Sequence, residues 1–395
     1  MLVYIMLFAV VVLTWGLDKL ALHFGFDKKH PYLYTVIFTN KTLILFLAIM
    51  FATIRAESVG ADNSNYIKYF NSVAERRPCY DYGVGYAGLN FIITLLGMPI
   101  NVLWFVIASF TVYSFNALFN EYSNNTYICW LLFFTLGIYA QMLGLYRQIL
   151  ALDFCVLGLI WLRRNNILVF LIYVILGFFF HLSALIALFY VIPKYVKLNW
   201  RTGIIAISIM IMLGISIVDL LRLLEDYFPQ FSYYSQYIAM GSMESSSRLD
   251  IPYAIGVTII LAVACFAYFK MQSKMDKKQQ QDFSFFIWLF AVYVFTKIVG
   301  IPYNLNTLFN RTSMYFFFSI IFIAEMLGGL LKRKNLKVMY NIALIVVAFC
   351  YMYFLIKIKG SCGVYPYAVM KIGGKLWFQR LFIIFGWVEK KNLQY

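Results

Sequence analysis

Leu43-Ile-Leu-Phe-Leu-Ala-Ile-Met-Phe-Ala-Thr-Ile54 runs directly into Arg55-Ala-Glu-Ser-Val-Gly-Ala-Asp-Asn-Ser-Asn-Tyr66. The first stretch carries no charge, and the second opens with Arg55 and adds Glu57, Asp62 and Tyr66. Charge is costly in hydrocarbon, so the junction marks the point where a membrane helix reaches a surface. Ionisable groups at the mouth of such a bundle are functional candidates by default. Their spacing is Arg55-x4-Gly60-x-Asp62-x3-Tyr66.

The rest of the chain repeats the first half of that pattern. Of 395 residues 63% are hydrophobic and 13% charged, and the mean hydropathy is +0.78. Each crossing needs roughly 20 apolar residues, so about 11–12 membrane helices absorb nearly the whole sequence. The expected fold is an all-α polytopic membrane protein, which excludes a soluble enzyme on an anchor. A net charge of +16 does not indicate nucleic acid, because the positive charges fall in short clusters between apolar runs. The six cysteines are scattered without paired spacing, so neither a metal site nor a disulfide framework is indicated. Met1 to Trp15 lacks a basic start and a small-residue cleavage site, and reads as a retained helix.

Five basic clusters set the sides: Lys19/Lys28/Lys29, Arg163/Arg164, Lys194/Lys197/Arg201, Lys270/Lys274/Lys277/Lys278 and Lys332/Arg333/Lys334/Lys337. Placing all five in the cytoplasm delivers Arg55 to the external face, at the end of a helix over about 38–54. A short dipping helix over about 84–96 precedes a crossing over about 100–119, broken at Gly97-Met98-Pro99. Helices follow at about 127–145 and 148–163. Ile167 to Pro193 has basic clusters at both ends yet is too short for two crossings. A re-entrant pair of half-helices with its tip near His181 resolves the conflict. Further crossings are expected at about 202–219, 251–269, 284–302, 312–331 and 338–356. The domain reading is one transmembrane catalytic domain over 1–356, with external loops at about 55–83 and 220–250. Residues 357–395 form a basic-aromatic tail, with a short apolar run suited to the interface.

This topology gathers Arg55, Asp62, Arg147, Gln148, Arg248 and Arg311 at the external surface, with His181 approaching from within the bundle. Arginine suits a polyanion on a lipid, since its planar fork binds phosphate oxygens and keeps its charge. Each residue also has a plainer role open to it: snorkelling for Arg55, a loop arginine for Arg147, a solvated turn carboxylate for Asp62, a helix-end anchor for Arg248 and Arg311, an interhelical hydrogen bond for Gln148 and His181. His181 is the best acid or base by chemistry. No nucleotide-binding glycine loop, metalloprotease helix or nucleophile elbow occurs.

Four stretches in this order resemble the EpsG-like branch of Wzy-type bacterial polysaccharide polymerases. They are Arg55-x4-Gly60-x-Asp62-x3-Tyr66, Gly85-Tyr86-x2-Leu89-Asn90, Tyr146-Arg147-Gln148, and Phe180-His181-x-Ser183-Ala184-Leu185-Ile186. Weaker echoes are Asn310-Arg311-x3-Tyr315 and Tyr365-Pro366-Tyr367. Asn63 stands where that pattern would place a small hydroxyl residue.

The resemblance implies a metal-independent glycosyltransferase of the GT-C type, without cofactor, in the bacterial cytoplasmic (inner) membrane. Its substrate would be oligosaccharide repeat units of O-antigen, capsule or exopolysaccharide on undecaprenyl pyrophosphate, presented at the periplasmic or outer face. A chain-length regulator would be a partner. In that frame Arg55, Arg147 and one or both of Arg248 and Arg311 hold the diphosphate, and His181 or Asp62 accepts the proton of the attacking hydroxyl. Gly60, Tyr66, Tyr86 and Gln148 complete the substrate-binding set. The competing classes are a lipid-linked oligosaccharide flippase and a membrane O-acyltransferase. The first lacks the expected internal repeat, and the second leaves Arg147-Gln148 without a role.

Overall fold

Apolar runs buried in hydrocarbon must satisfy their own backbone groups, and here they do so as helices. The computed structural model describes residues 1–77, 82–227, 250–301, 306–372 and 375–376. Arg248, most of the 220–250 loop and the end of the tail lie outside the described residues. In chain order the main helices are α1 (Leu2–His23), α2 (Thr42–Ile54), α3 (Asn63–Ala74), α4 (Val84–Leu95), α5 (Ile100–Tyr122), α6 (Thr126–Thr135), α7 (Ile138–Met142), α8 (Tyr146–Arg163) and α9 (Ile167–Phe180). They continue as α10 (Val191–Tyr195), α11 (Trp200–Tyr227), α12 (Asp250–Met271), α13 (Lys277–Gly300), α14 (Asn306–Phe317), α15 (Ser319–Gly329) and α16 (Lys334–Tyr353). The strands among the described residues are a two-residue pairing of Lys371–Ile372 with Lys375–Leu376.

Among the described residues six stretches are long and apolar enough to cross a membrane: Leu2–His23, Ile100–Tyr122, Asp250–Lys274, Lys277–Gly300, Phe309–Gly329 and Lys334–Ile358. A seventh is the pair Pro31–Thr39 and Thr42–Ile54, bent by 42°. Five shorter apolar helices, among them Val84–Leu95 and Ile167–Phe180, accompany them. The chain is an all-α, multi-pass membrane protein. Its exposed surface is apolar where lipid would lie: Ile204, Ile207 and Ile211 on α11 and Val346 and Val347 on α16 are all exposed. The expected 127–145 helix is interrupted at Gly137 (φ +89°), between α6 and α7. The next helix, expected from about 148, begins at Tyr146, so Arg147 and Gln148 belong to the first turn of α8.

The chain divides into two compact units. The first comprises Met1–Asn116, Trp130–Asp153 and Ile342–Tyr395. Its core is aromatic, with Tyr4, Trp104, Trp130 and Tyr139 at most 1% exposed. The second comprises Ala117–Cys129 and Phe154–Asn341.

Within the second unit the segment 167–195 folds back on itself. The α-helix ends at Phe180, His181 is extended (φ −158°, ψ 129°), and a 3₁₀ helix follows over Leu182–Tyr190. The rings of Phe170 and Tyr190 lie 6.5 Å apart, whereas twenty residues of continuous helix would separate them by about 30 Å. At the base of the hairpin the Lys194 ammonium donates to the Arg163 carbonyl at 3.0 Å, so both ends meet. Four of the five basic clusters contribute to two cavities of about 480 and 400 Å³ in this unit, with Arg163 and Lys278 lining both. Arg163 is held there between Glu121 and Asp282. Asp276 closes a capping box at the start of α13, accepting from the Gln279 amide at 2.7 Å, which fixes where that helix begins.

Candidate functional site

Arg55 follows the last turn of α2 and is only 2% exposed. A buried guanidinium must find acceptors. One terminal nitrogen donates to the Ala52 carbonyl and the other to the Tyr146 hydroxyl. The first contact satisfies an orphan carbonyl at a helix end, where a cation is favoured. The planar group also lies 4.3 Å over the Trp104 ring. Tyr146 passes the chain on by donating to the Asn63 side-chain carbonyl, and the Asn63 amide donates to the Glu57 carbonyl at 2.8 Å. Asn63 therefore serves as acceptor and donor at once. Arg55, expected at the diphosphate, directs both terminal nitrogens to the protein's own groups.

Gly60 has φ +114°, and a Cβ there would lie 2.2 Å from the Leu143 carbonyl oxygen. Its N–H donates to Gly363 at 2.9 Å, and the Ala61 N–H to Cys362 at 2.8 Å. Gly363, at φ +59°, would place a Cβ 2.9 Å from the Ala61 backbone. Three backbone segments thus touch where only glycine fits. Further along, the Ala56 N–H donates to Ala368 and the Met370 N–H to Ile54, while the Tyr367 hydroxyl donates to the Phe51 carbonyl. Residues 362–370 strap the loop that follows α2. Gly60→Ala is expected to destabilise the protein by roughly 1–3 kcal/mol through overpacking and strain. The check is the Tm of the detergent-purified variant, and an unchanged Tm would show that these segments can part.

Beside this junction stands a wall of tyrosines. Tyr66 packs on Tyr146 at 4.5 Å, on Tyr86 at 5.4 Å and on Tyr82 at 5.7 Å between ring centroids. Tyr69 meets Tyr82 at 4.6 Å. Tyr86 is fully buried. The Tyr66 hydroxyl accepts the backbone N–H of Arg147, and burial raises its pKa well above the ordinary phenol value. It feels both the Arg147 and Asp62 charges.

Arg147 itself is half-buried, with its guanidinium 5.0 Å over the Tyr82 ring. Among the described residues its Nε is buried without a hydrogen-bond partner, and no carboxylate forms an ion pair with it. It occupies the first turn of an 18-residue helix with no acidic residue in that turn. Helix dipole and guanidinium therefore add up to an anion-binding corner. Asp62 is half-buried at the N-cap of α3, and Gln148 is 3% exposed.

The second unit holds His181 and Arg311. His181 Nδ1 accepts the Ser183 N–H at 3.2 Å, capping the 3₁₀ helix, and lies 2.6 Å from the Ser183 hydroxyl. Ser183 in turn donates to the Tyr315 hydroxyl at 3.0 Å. The Tyr315 carbonyl accepts from Tyr190. An Nδ1 used as acceptor puts the proton of a neutral imidazole on Nε2. Arg311 is half-buried on α14, one turn before Tyr315.

The motif stretches thus pair in space. Three stretches and the Tyr-Pro-Tyr echo meet in the first unit, and the histidine stretch and the Asn-Arg-x3-Tyr echo meet in the second. The contacts add residues to which sequence assigns no role: Tyr146, Ser183 and Tyr315 belong to the motif stretches, whereas Trp104 and Tyr82 lie outside them. No curated protein and no solved structure matches the chain. The EpsG family profile matches residues 38–369. With that profile spanning most of its length, the chain belongs to the EpsG family.

Proposed function

We propose that this protein is a polysaccharide polymerase, joining oligosaccharide repeat units carried on undecaprenyl pyrophosphate at the outer face of the bacterial cytoplasmic membrane. Membership of the EpsG family supports polymerisation. The observation that carries the substrate class is Arg147, a guanidinium on a helix N-terminus with no carboxylate paired to it among the described residues. A lipid diphosphate fits that corner through charge-assisted hydrogen bonds, and the neighbouring tyrosine wall suits the faces of sugar rings.

The glycosyl carbon–oxygen bond to the pyrophosphate breaks, and a new glycosidic bond forms to a hydroxyl of the incoming unit. Arg147 stabilises the negative charge that grows on the departing diphosphate. Asp62 accepts the hydroxyl proton, since it is ionisable, partly open and shares the Tyr66 surroundings with Arg147. His181, with Nδ1 occupied by Ser183, acts as a hydrogen-bond donor through Nε2. Arg55 keeps Tyr146 in place. Gly60 allows the close approach of loops, while Tyr66, Tyr86 and Gln148 shape the sugar side. Arg248 and Arg311 are proposed as further phosphate ligands. The bond energy of the sugar pyrophosphate drives the step, so no nucleotide is required, and the family resemblance implies a reaction without metal or cofactor. A chain-length regulator is the proposed protein partner.

Ser183→Ala removes the hydroxyl that lies 2.6 Å from the imidazole Nδ1 and donates to Tyr315, and is expected to lower polymer formation by about five- to tenfold. Polymer formed per unit time by membranes carrying the variant checks this, and a wild-type rate would detach the Ser183 contact from the reaction. The functional class is tested in a strain lacking the gene. Single repeat units at the surface that regain a ladder only with the wild-type gene support a polymerase. Loss of all surface glycan, with lipid-linked units trapped inside, would favour the flippase.

A further inference from the structure

Asp153 is a fully buried acidic side chain that the proposed reaction leaves unused. It sits within α8 with no solvent exposure. Its Oδ2 accepts the Thr111 hydroxyl at 2.6 Å, and its Oδ1 is buried without a partner among the described residues. No described Lys, Arg or His lies within ion-pair distance of it. A lone ionisable group inside an apolar bundle is costly and calls for a role.

Its place in the two helices supplies one. Tyr146 and Asp153 are seven residues apart on α8, and Trp104 and Thr111 are seven apart on α5. Seven residues are two turns of helix, so each pair shares a face with its members roughly 10.5 Å apart. The upper layer is Trp104 and Tyr146 with the Arg55 guanidinium over both rings, at 4.3 and 5.4 Å. The lower layer is the Thr111–Asp153 hydrogen bond. Two layers fix both the rotation and the height of α8 against α5, which one layer alone would not.

We propose that Asp153 is a positioning residue: with Thr111 it locks the register of α8 and thereby aims Arg147 at the diphosphate. It acts through its hydrogen bond and not through charge. The inference rests on the reading of Arg147 as diphosphate ligand. Asn at 153 keeps an acceptor for Thr111 in the same shape, whereas Leu offers none and leaves the Thr111 hydroxyl unsatisfied.

The test measures binding of farnesyl diphosphate to the purified full-length protein, with Tm recorded for each variant. Asp153→Leu and Thr111→Val are expected to weaken binding about tenfold, and Asp153→Asn to stay within about twofold of wild type. If Asp153→Leu does not fold, Thr111→Val, which exchanges a hydroxyl for a methyl, carries the test. Wild-type affinity in the Leu and Val variants would overturn the inference, as would an Asn variant as weak as Leu. Arg147→Ala is expected to lose binding. Full affinity there would instead overturn the assignment of Arg147, and with it what the clamp aims.

Discussion

Arg147→Ala is expected to abolish polymer, leaving single repeat units, while the protein inserts and folds normally. The guanidinium has no ion-pair partner among the described residues, so its removal breaks no salt bridge among them. What disappears is the group proposed to face the departing pyrophosphate. Loss of one such preorganised donor costs roughly 10²–10³ in rate, enough to erase a ladder on a gel. Arg147→Lys keeps the charge but not the planar fork, so partial recovery with shorter chains is expected. Normal chain lengths from the Ala variant would remove Arg147 from the mechanism.

Arg55→Ala is expected to fail in a different way. Its guanidinium bridges the end of α2, the Tyr146 hydroxyl and the Trp104 ring. Truncation leaves the Ala52 carbonyl and the Tyr146 hydroxyl with one partner fewer and opens a cavity between helices. A lost hydrogen bond to a charged group and an unfilled core site together cost about 3 kcal/mol or more. That is a large share of the roughly 5–15 kcal/mol by which folded proteins are stable. The expected result is low protein in the membrane and a lowered Tm after purification. Equal abundance and Tm with loss of polymer alone would contradict the structural role and return Arg55 to the phosphate site. The two arginines, alike in sequence as charges at helix ends, are separated by this pair of measurements.

That separation shows where the sequence stops being informative. Helix positions were legible because hydrophobicity and length decide them, and the break at His181 was legible because basic clusters flank a segment too short to cross twice. The hairpin contact of Phe170 with Tyr190 and the bond from Lys194 to Arg163 bear that reading out. Arg55 announced a surface by its charge, but its burial depends on Tyr146, ninety-one residues away, and no local pattern encodes that pairing. The strap over 362–370 pairs through backbone groups of an irregular segment, which has neither the helical nor the strand period. Asp153 read as one polar residue in a helix, and only the Thr111 contact at 2.6 Å reveals a layer beneath the arginine.

The most direct measurement is reconstitution of the purified wild-type protein in vesicles with undecaprenyl-pyrophosphate-linked repeat units and no nucleotide. Glycans longer than one repeat, formed as undecaprenyl pyrophosphate is released and absent with Arg147→Ala, are the predicted result. Repeat units that move across the bilayer without being joined would contradict it.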